Sequence, residues 1–383
     1  MLNMSIRYFR ALTFALVALF ALAAFAADYN VFVGTYTGPN SKGIYTFRFD
    51  PATGKFTEPH VAAETDNPSF LALDPHNRFL YAVNELESYK GTVSGAVSVF
   101  EVDPSTAKLT FRQQVSSLGE DPAYIAVDHS GHDVLVADYT TGDVVVFPVE
   151  KDGTLGEHTA LDQHHGSSVN PERQKGPHAH SIQLTNDNRF ALSADLGLDK
   201  IIIYRFDPAR GTLTANKPPF ATVAPGAGPR HIAFSSDGRF AYVADEMGTD
   251  VTVFSLKAKT GAMHELQTID TVAEHDPANT AAEIALAPSG SYLYTSTRKA
   301  DVITEFSVAR KSGKLTLVDR VPSGGKNPRF FALDPTGQWM FVANQSSDEI
   351  VLYRVDKTTG KLTPTGNSIH IGAPVCLVFV PAR

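Results

Sequence analysis

The sequence predicts an all-β protein, a seven-bladed β-propeller of four-stranded antiparallel blades closed by pairing of the C-terminal strand with the N-terminal blade. Three observations predict it. A turn signature occurs seven times, four short strand patterns surround each copy, and the two chain ends each carry part of one repeat.

The signature is a tight turn, charged or containing Pro, that ends on an apolar residue. Its copies occupy residues 50–56, 103–109, 151–155, 207–213, 257–263, 309–315 and 356–362. The closing residues are Phe56, Leu109, Leu155, Leu213, Met263, Leu315 and Leu362, spaced by 53, 46, 58, 50, 52 and 47 residues. A period near 50 with short alternating strands marks a propeller or another repeat array.

Each repeat reads as four strands. In the second, residues 68–73 form a very apolar first strand, and Asp74-Pro75-His76-Asn77 supplies turn chemistry. Residues 79–83, 95–102 and 109–115 follow as the second, third and fourth strands. Residues 230–234, 240–244, 251–256 and 266–271 repeat the plan. Near the start, Asn30-Val31-Phe32-Val33-Gly34 is a second-strand pattern, and residues 373–379 are a first-strand pattern. One shared blade pairs the ends and removes an exposed sheet edge.

Residues 1–26 read as a secretory signal. Arg7 and Arg10 precede an apolar run at 11–25, and Ala24-Phe25-Ala26 fits a small-x-small cleavage site before Ala27. The run is short for a membrane span of about 20 residues. The expected division is therefore a signal at 1–26 and one propeller domain at 27–383, placed in the periplasm or secreted. The formal charge is −8, and −10 without Arg7 and Arg10. Such an acidic chain is a poor partner for nucleic acid or anionic membrane. Cys376 is the lone cysteine, so no internal disulfide supports the fold; within an apolar run it reads as a buried small residue.

A repeat lets equivalent positions be compared within one chain. After the second strand, Asn84, Asp138, Asp195, Asp245 and Asn344, with Thr35 and Thr297, recur as turn-capping residues. Arg78, Arg189 and Arg239 likewise recur at one turn position and read as structural. The position after the capping residues varies fully: Tyr36, Glu85, Tyr139, Leu196, Glu246, Arg298 and Gln345. Before the first strand stand Ser69, Ala123, His180, Arg230, Ala282 and Arg329, with His178 and His231 nearby. Both sets fall on one face near the axis. Arginine forks suit a carboxylate or phosphate, and a Glu and a His beside them can move protons. The polar segment 163–180 is long for a connection; it reads either as a loop whose Arg173 and Gln174 fold over the pocket or as a plain connection between blades. His164, His165 and His178 match no standard metal spacing.

Three motif sets resemble one family: Arg173-Gln174-Lys175-Gly176-Pro177-His178-Ala179-His180-Ser181 with Ala194-Asp195-Leu196-Gly197; Gly228-Pro229-Arg230-His231 with Asp245-Glu246; and Asn327-Pro328-Arg329-Phe330 with Ala343-Asn344-Gln345. Together they resemble the 6-phosphogluconolactonase-like (lactonase) family with its carboxymuconate cyclase relatives, across essentially the whole chain after residue 26. The resemblance implies a cofactor-independent lactonase acting on a small anionic or lactone substrate. His180, Arg230, Glu246 and Arg298 match positions proposed to form the cyclase-type active site. Arg329, Tyr139, Tyr36, Gln345, Arg173 and His178 are expected to bind substrate. Ser296-Thr297-Arg298-Lys299 departs from the family's Ser-Asn-Arg-Gly, so the arginine persists in a different turn. A non-catalytic binding propeller and a muconate-type cycloisomerase are the alternative readings.

Overall fold

The computed structural model describes residues 28–383; the signal at 1–26 and the cleavage site lie outside the described residues. Seven antiparallel blades form a ring. In blade one, the innermost strand is Pro374–Pro381, followed outward by Tyr29–Thr35 and Gly43–Asp50. Its outer edge is split between Lys55–Phe56 and His60–Glu64, both paired to Gly43–Asp50. The innermost strands of blades two to seven are Leu71–Leu73, Pro122–Val127, Ala179–Leu184, Pro229–Phe234, Thr280–Leu286 and Pro328–Leu333. Each touches its neighbours, and Pro374–Pro381 touches both Pro328–Leu333 and Leu71–Leu73, so the ring is closed. The seam is antiparallel, with Val31 opposite Phe379 and Val33 opposite Leu377.

Strand alternation explains why the ring holds. In Phe240–Asp245, Phe240, Tyr242 and Ala244 face blade six, while Ala241 and Val243 face blade four. Successive side chains of a strand point to opposite faces, so an almost continuous apolar run is what a strand buried on both sides requires. Seven apolar clusters result, one between each pair of neighbouring blades. Cys376 lies buried in the cluster between blades one and two.

The turn signature also locks blades together. Tyr81 of blade two donates to the Gly153 carbonyl at 3.0 Å, and Tyr294 of blade six donates to that of Gly360 at 2.8 Å. Trp339 of blade seven donates to Pro51 at 2.9 Å across the seam. Gly54 has φ +75°, and a Cβ there would press into the Trp339 ring. Position and packing both demand glycine there.

Two details differ from the expectation. The first strand of blade two spans only Leu71–Leu73, because the Ser69 amide bonds back to the Asn67 carbonyl at 2.7 Å instead of joining the ladder. Blade two also carries an added hairpin, Ser88–Tyr89 paired with Thr92–Val93.

Candidate active site

Side chains reach the axis because the innermost strands are bulged. Ala179 and Ser181 pair with the consecutive residues Asp195 and Ala194, leaving His180 extra. Arg230, Arg329 and Ala123 are the extra residues of blades five, seven and three. A bulge releases one residue from the ladder and re-aims its side chain. Blade six is irregular at the same place, around Ala282 and Glu283. The second ring comes from the ends of the second strands; Asp195 anchors the exit in blade four, whereas Asp245 bonds to Thr252 of the third strand and the Asp138 carboxyl has no protein partner. Asp195 accepts from the backbone of His178 at 2.8 Å and of Leu198 at 3.1 Å.

The two rings meet around Glu246. Arg173 Nη2 lies 2.8 Å from its Oε1; Arg298 Nη2 and Arg230 Nε lie 2.7 and 3.2 Å from its Oε2. His180 Nε2 stands 3.9 Å from Oε2. An open pocket of about 190 Å³ is lined by Glu85, Ala123, Tyr139, Arg173, His180, Glu246, Arg298 and Arg329. Behind this wall, Arg230 donates to the Ala282 carbonyl at 2.6 Å and His231 meets Glu283 at 3.1 Å.

Burial alone would raise the Glu246 carboxyl, but Arg298, Arg230 and Arg173 outweigh it and hold it well below the usual carboxylate range. Burial and then Arg230 push His180 well below an ordinary imidazole, so its ring is neutral at pH 7. Arg230 falls to about 9 through burial and the nearby Arg298 and Arg329, and remains charged. His180 Nδ1 is buried and has no protein partner.

Other expected residues separate into wall, support and rim. Arg329 donates to Tyr36 at 2.8 Å, and Tyr36 donates to Glu85 at 2.7 Å. Tyr139 is held by Arg173 at 3.1 Å and stacked on His178 with centroids 4.6 Å apart. His178 therefore supports Tyr139 and is not among the residues lining the pocket. Gln345 is not brought to the pocket either; the turn at Gln345–Ser347 carries it to Asn327, 3.3 Å away. Gln174 does not fold over the pocket. It is buried beneath, bonded to Leu196 O and Asp199 at 2.8 and 2.7 Å, and only Arg173 reaches in. His164 is likewise buried, tied to Asp195 and Tyr204 at 2.6 and 2.8 Å. Glu85 and Glu283 are residues of the site that the sequence does not single out. Glu85 stood in the variable ring, whereas nothing local to Glu283 marks it.

Residues 30–379 match the family model described as "Lactonase, 7-bladed beta-propeller". The chain is 33% identical to the 6-phosphogluconolactonase of Bacillus subtilis over 304 residues, covering 79% of this chain and 84% of that protein. It is 32% identical to the 6-phosphogluconolactonase of Formosa agariphila over 309 residues, covering 79% and 85%. Among solved structures, the periplasmic gluconolactonase of Pseudomonas aeruginosa superposes with a TM-score of 0.88 at 37% identity, covering 93% of this chain and 100% of that one. The chain belongs to the seven-bladed β-propeller lactonase family and is a 6-phosphogluconolactonase-like lactonase.

Proposed function

We propose that this pocket hydrolyses the lactone of a sugar acid, and that Glu246, His180, Arg230 and Arg298 carry the reaction. The observation that supports this most directly is Glu246: one buried carboxylate held by three guanidiniums and faced by a neutral imidazole on an open pocket wall. Four guanidiniums and two carboxylates surround the site, a surplus of positive charge that suits an electron-rich carbonyl or a carboxylate product.

In this reading, the lactone carbonyl takes the position facing Arg298 and Arg230. Water adds to the carbonyl carbon, and the tetrahedral oxyanion is stabilised by about 3–4 kcal/mol per well-placed donor. Glu246 and His180 share the proton transfers, worth a factor of about 10²–10⁴. One takes a proton from the attacking water. As the ring C–O bond breaks, the leaving oxygen is protonated, and the product is an open-chain hydroxy acid. Each contact Arg298 makes with substrate weakens its hold on Glu246, so the carboxylate becomes more basic when substrate is bound.

The test is hydrolysis of gluconolactone and 6-phosphogluconolactone by the purified protein against the spontaneous rate. Turnover above background that falls with Arg298→Ala is the expected result. No turnover of either lactone defeats the proposal. We also propose export: the apolar run at 11–25 and the periplasmic gluconolactonase relative support it. Sequencing the N-terminus of protein recovered from outside the cytoplasm should give Ala27.

A further inference from the structure

The pocket is chemically lopsided, and the asymmetry follows blade order. All four guanidiniums, Arg173, Arg230, Arg298 and Arg329, come from blades four to seven and their connections. Blades one to three contribute Tyr36, Ser69, Glu85, Ala123 and Tyr139 to the two rings, with no cation among them. The bulged position carries a large side chain in blades four, five and seven but Ala123 in blade three, and Ser69 is its counterpart in blade two. The open volume therefore reaches toward blades two and three, where Glu85 forms part of its wall.

Glu85 is already committed on one side. Both carboxylate oxygens lie 2.7 Å from the Tyr36 hydroxyl, which in turn accepts from Arg329. Arg329 also sits over the Tyr36 ring, 5.3 Å from its centroid. The charge of Arg329 is thus offset locally by Glu85 through Tyr36. A carboxylate has about four acceptor sites, so Glu85 keeps capacity for hydroxyl donors. A dianion placed there would meet that carboxylate, and like charges in a confined site oppose binding.

We propose that the half of the pocket built by blades one to three is a subsite for an uncharged polyhydroxyl chain, and that Glu85 selects lactones whose tail carries no phosphate. This deepens the lactonase reading and rests on it for the placement of the carbonyl. A phosphorylated lactone is drawn the other way round. Its phosphate competes for Arg173 and Arg298 of the pocket wall, which turns the carbonyl away from Glu246 and His180.

The experiment compares kcat/KM for gluconolactone and 6-phosphogluconolactone in the wild type, Glu85→Gln and Glu85→Arg. The wild type should favour the unphosphorylated lactone by about tenfold or more, and Glu85→Arg should move the ratio toward the phosphorylated one by about tenfold. Glu85→Gln keeps an acceptor for Tyr36 and should move it less, in the same direction. A wild-type ratio at or below unity, or a ratio unmoved in both folded variants, overturns the assignment. Calorimetry with gluconate and 6-phosphogluconate separates this idea from the hydrolysis itself. Tighter gluconate binding without turnover of either lactone would sink the lactonase reading and sustain the subsite. Equal or tighter binding of 6-phosphogluconate would sink the subsite whatever the turnover.

Discussion

Arg298 Nη2 lies 2.7 Å from Glu246 Oε2, so equivalent positions of blades five and six carry opposite charges in direct contact. Glu246 is also shared with Arg173 and Arg230. Removing its charge leaves three guanidiniums facing one another in a largely buried site. Glu246→Gln should lower kcat/KM by about 10²-fold or more. It should also lower stability by about 3 kcal/mol, because a buried charge cluster loses its counter-ion. Steady-state kinetics and urea unfolding check the two effects separately. Unchanged turnover in a folded variant would remove Glu246 from the chemistry.

Gln174 offers a way to disturb the site without touching it. Its amide holds the 163–180 connection by bonds to Leu196 O and Asp199, and its Oε1 accepts from Asn170 at 3.0 Å. Arg173 is the next residue back. Gln174→Leu should cost about 1–3 kcal/mol of stability, since buried partners are left unsatisfied. With Arg173 no longer held against Glu246 and Tyr139, KM should rise more than kcat falls. Equal loss in both parameters would point to a general disturbance instead.

Much of this was legible because the chain repeats. Seven copies of one turn gave the blade count, and comparison of equivalent positions separated recurring buried residues such as Asp195 and Asp245 from Glu246 and Arg298 beside them. The strand ends also follow the pattern closely, as at Phe79–Asn84 against the expected 79–83. What was hidden is local geometry. A bulge adds one residue without altering composition, so nothing in the run around Arg230 reveals that it leaves the ladder. Gln345 shares its ring with Glu246 by position, yet a short 3-10 turn redirects it to Asn327. Glu283 is paired with His231 across blades, a relation that sequence spacing does not encode.

Buried carboxyls away from the site set a pH dependence with a definite sign. Glu305 is buried; its Oε1 accepts from Leu362 at 2.9 Å and its Oε2 has no protein partner. Burial pushes its pKa up to about 7. The folded protein thus holds a proton that the unfolded chain releases near pH 4.3. Its contribution is complete below that pH and is lost as pH rises through about 7. Glu305→Gln keeps the acceptor for Leu362 and abolishes the titration. The variant should match the wild type near pH 4 and exceed it by about 2 kcal/mol at pH 8. Urea midpoints across that range test it; a constant difference would mean that Glu305 does not titrate there.

The ring seam can be probed with two glycines of nearly equal backbone conformation. Gly54 has φ +75° and Gly366 has φ +77°, so an alanine is strained by the same left-handed geometry at both. Their surroundings differ. A Cβ at Gly54 would press into the Trp339 ring, whereas one at Gly366 would meet nothing within 4 Å. Trp339 belongs to blade seven and Gly54 to blade one, so the contact lies where the chain ends close the ring. Gly366→Ala should cost about 1 kcal/mol, the backbone strain alone. Gly54→Ala adds overpacking and displacement of the Trp339 bond to Pro51, for a loss of about 3 kcal/mol in all. Urea unfolding of both variants isolates the difference. Trp339 is the only tryptophan of the chain, so its fluorescence should shift in Gly54→Ala and stay unchanged in Gly366→Ala. Equal losses with equal spectra would mean that the turn signature recurs for the turn alone and does not join the blades.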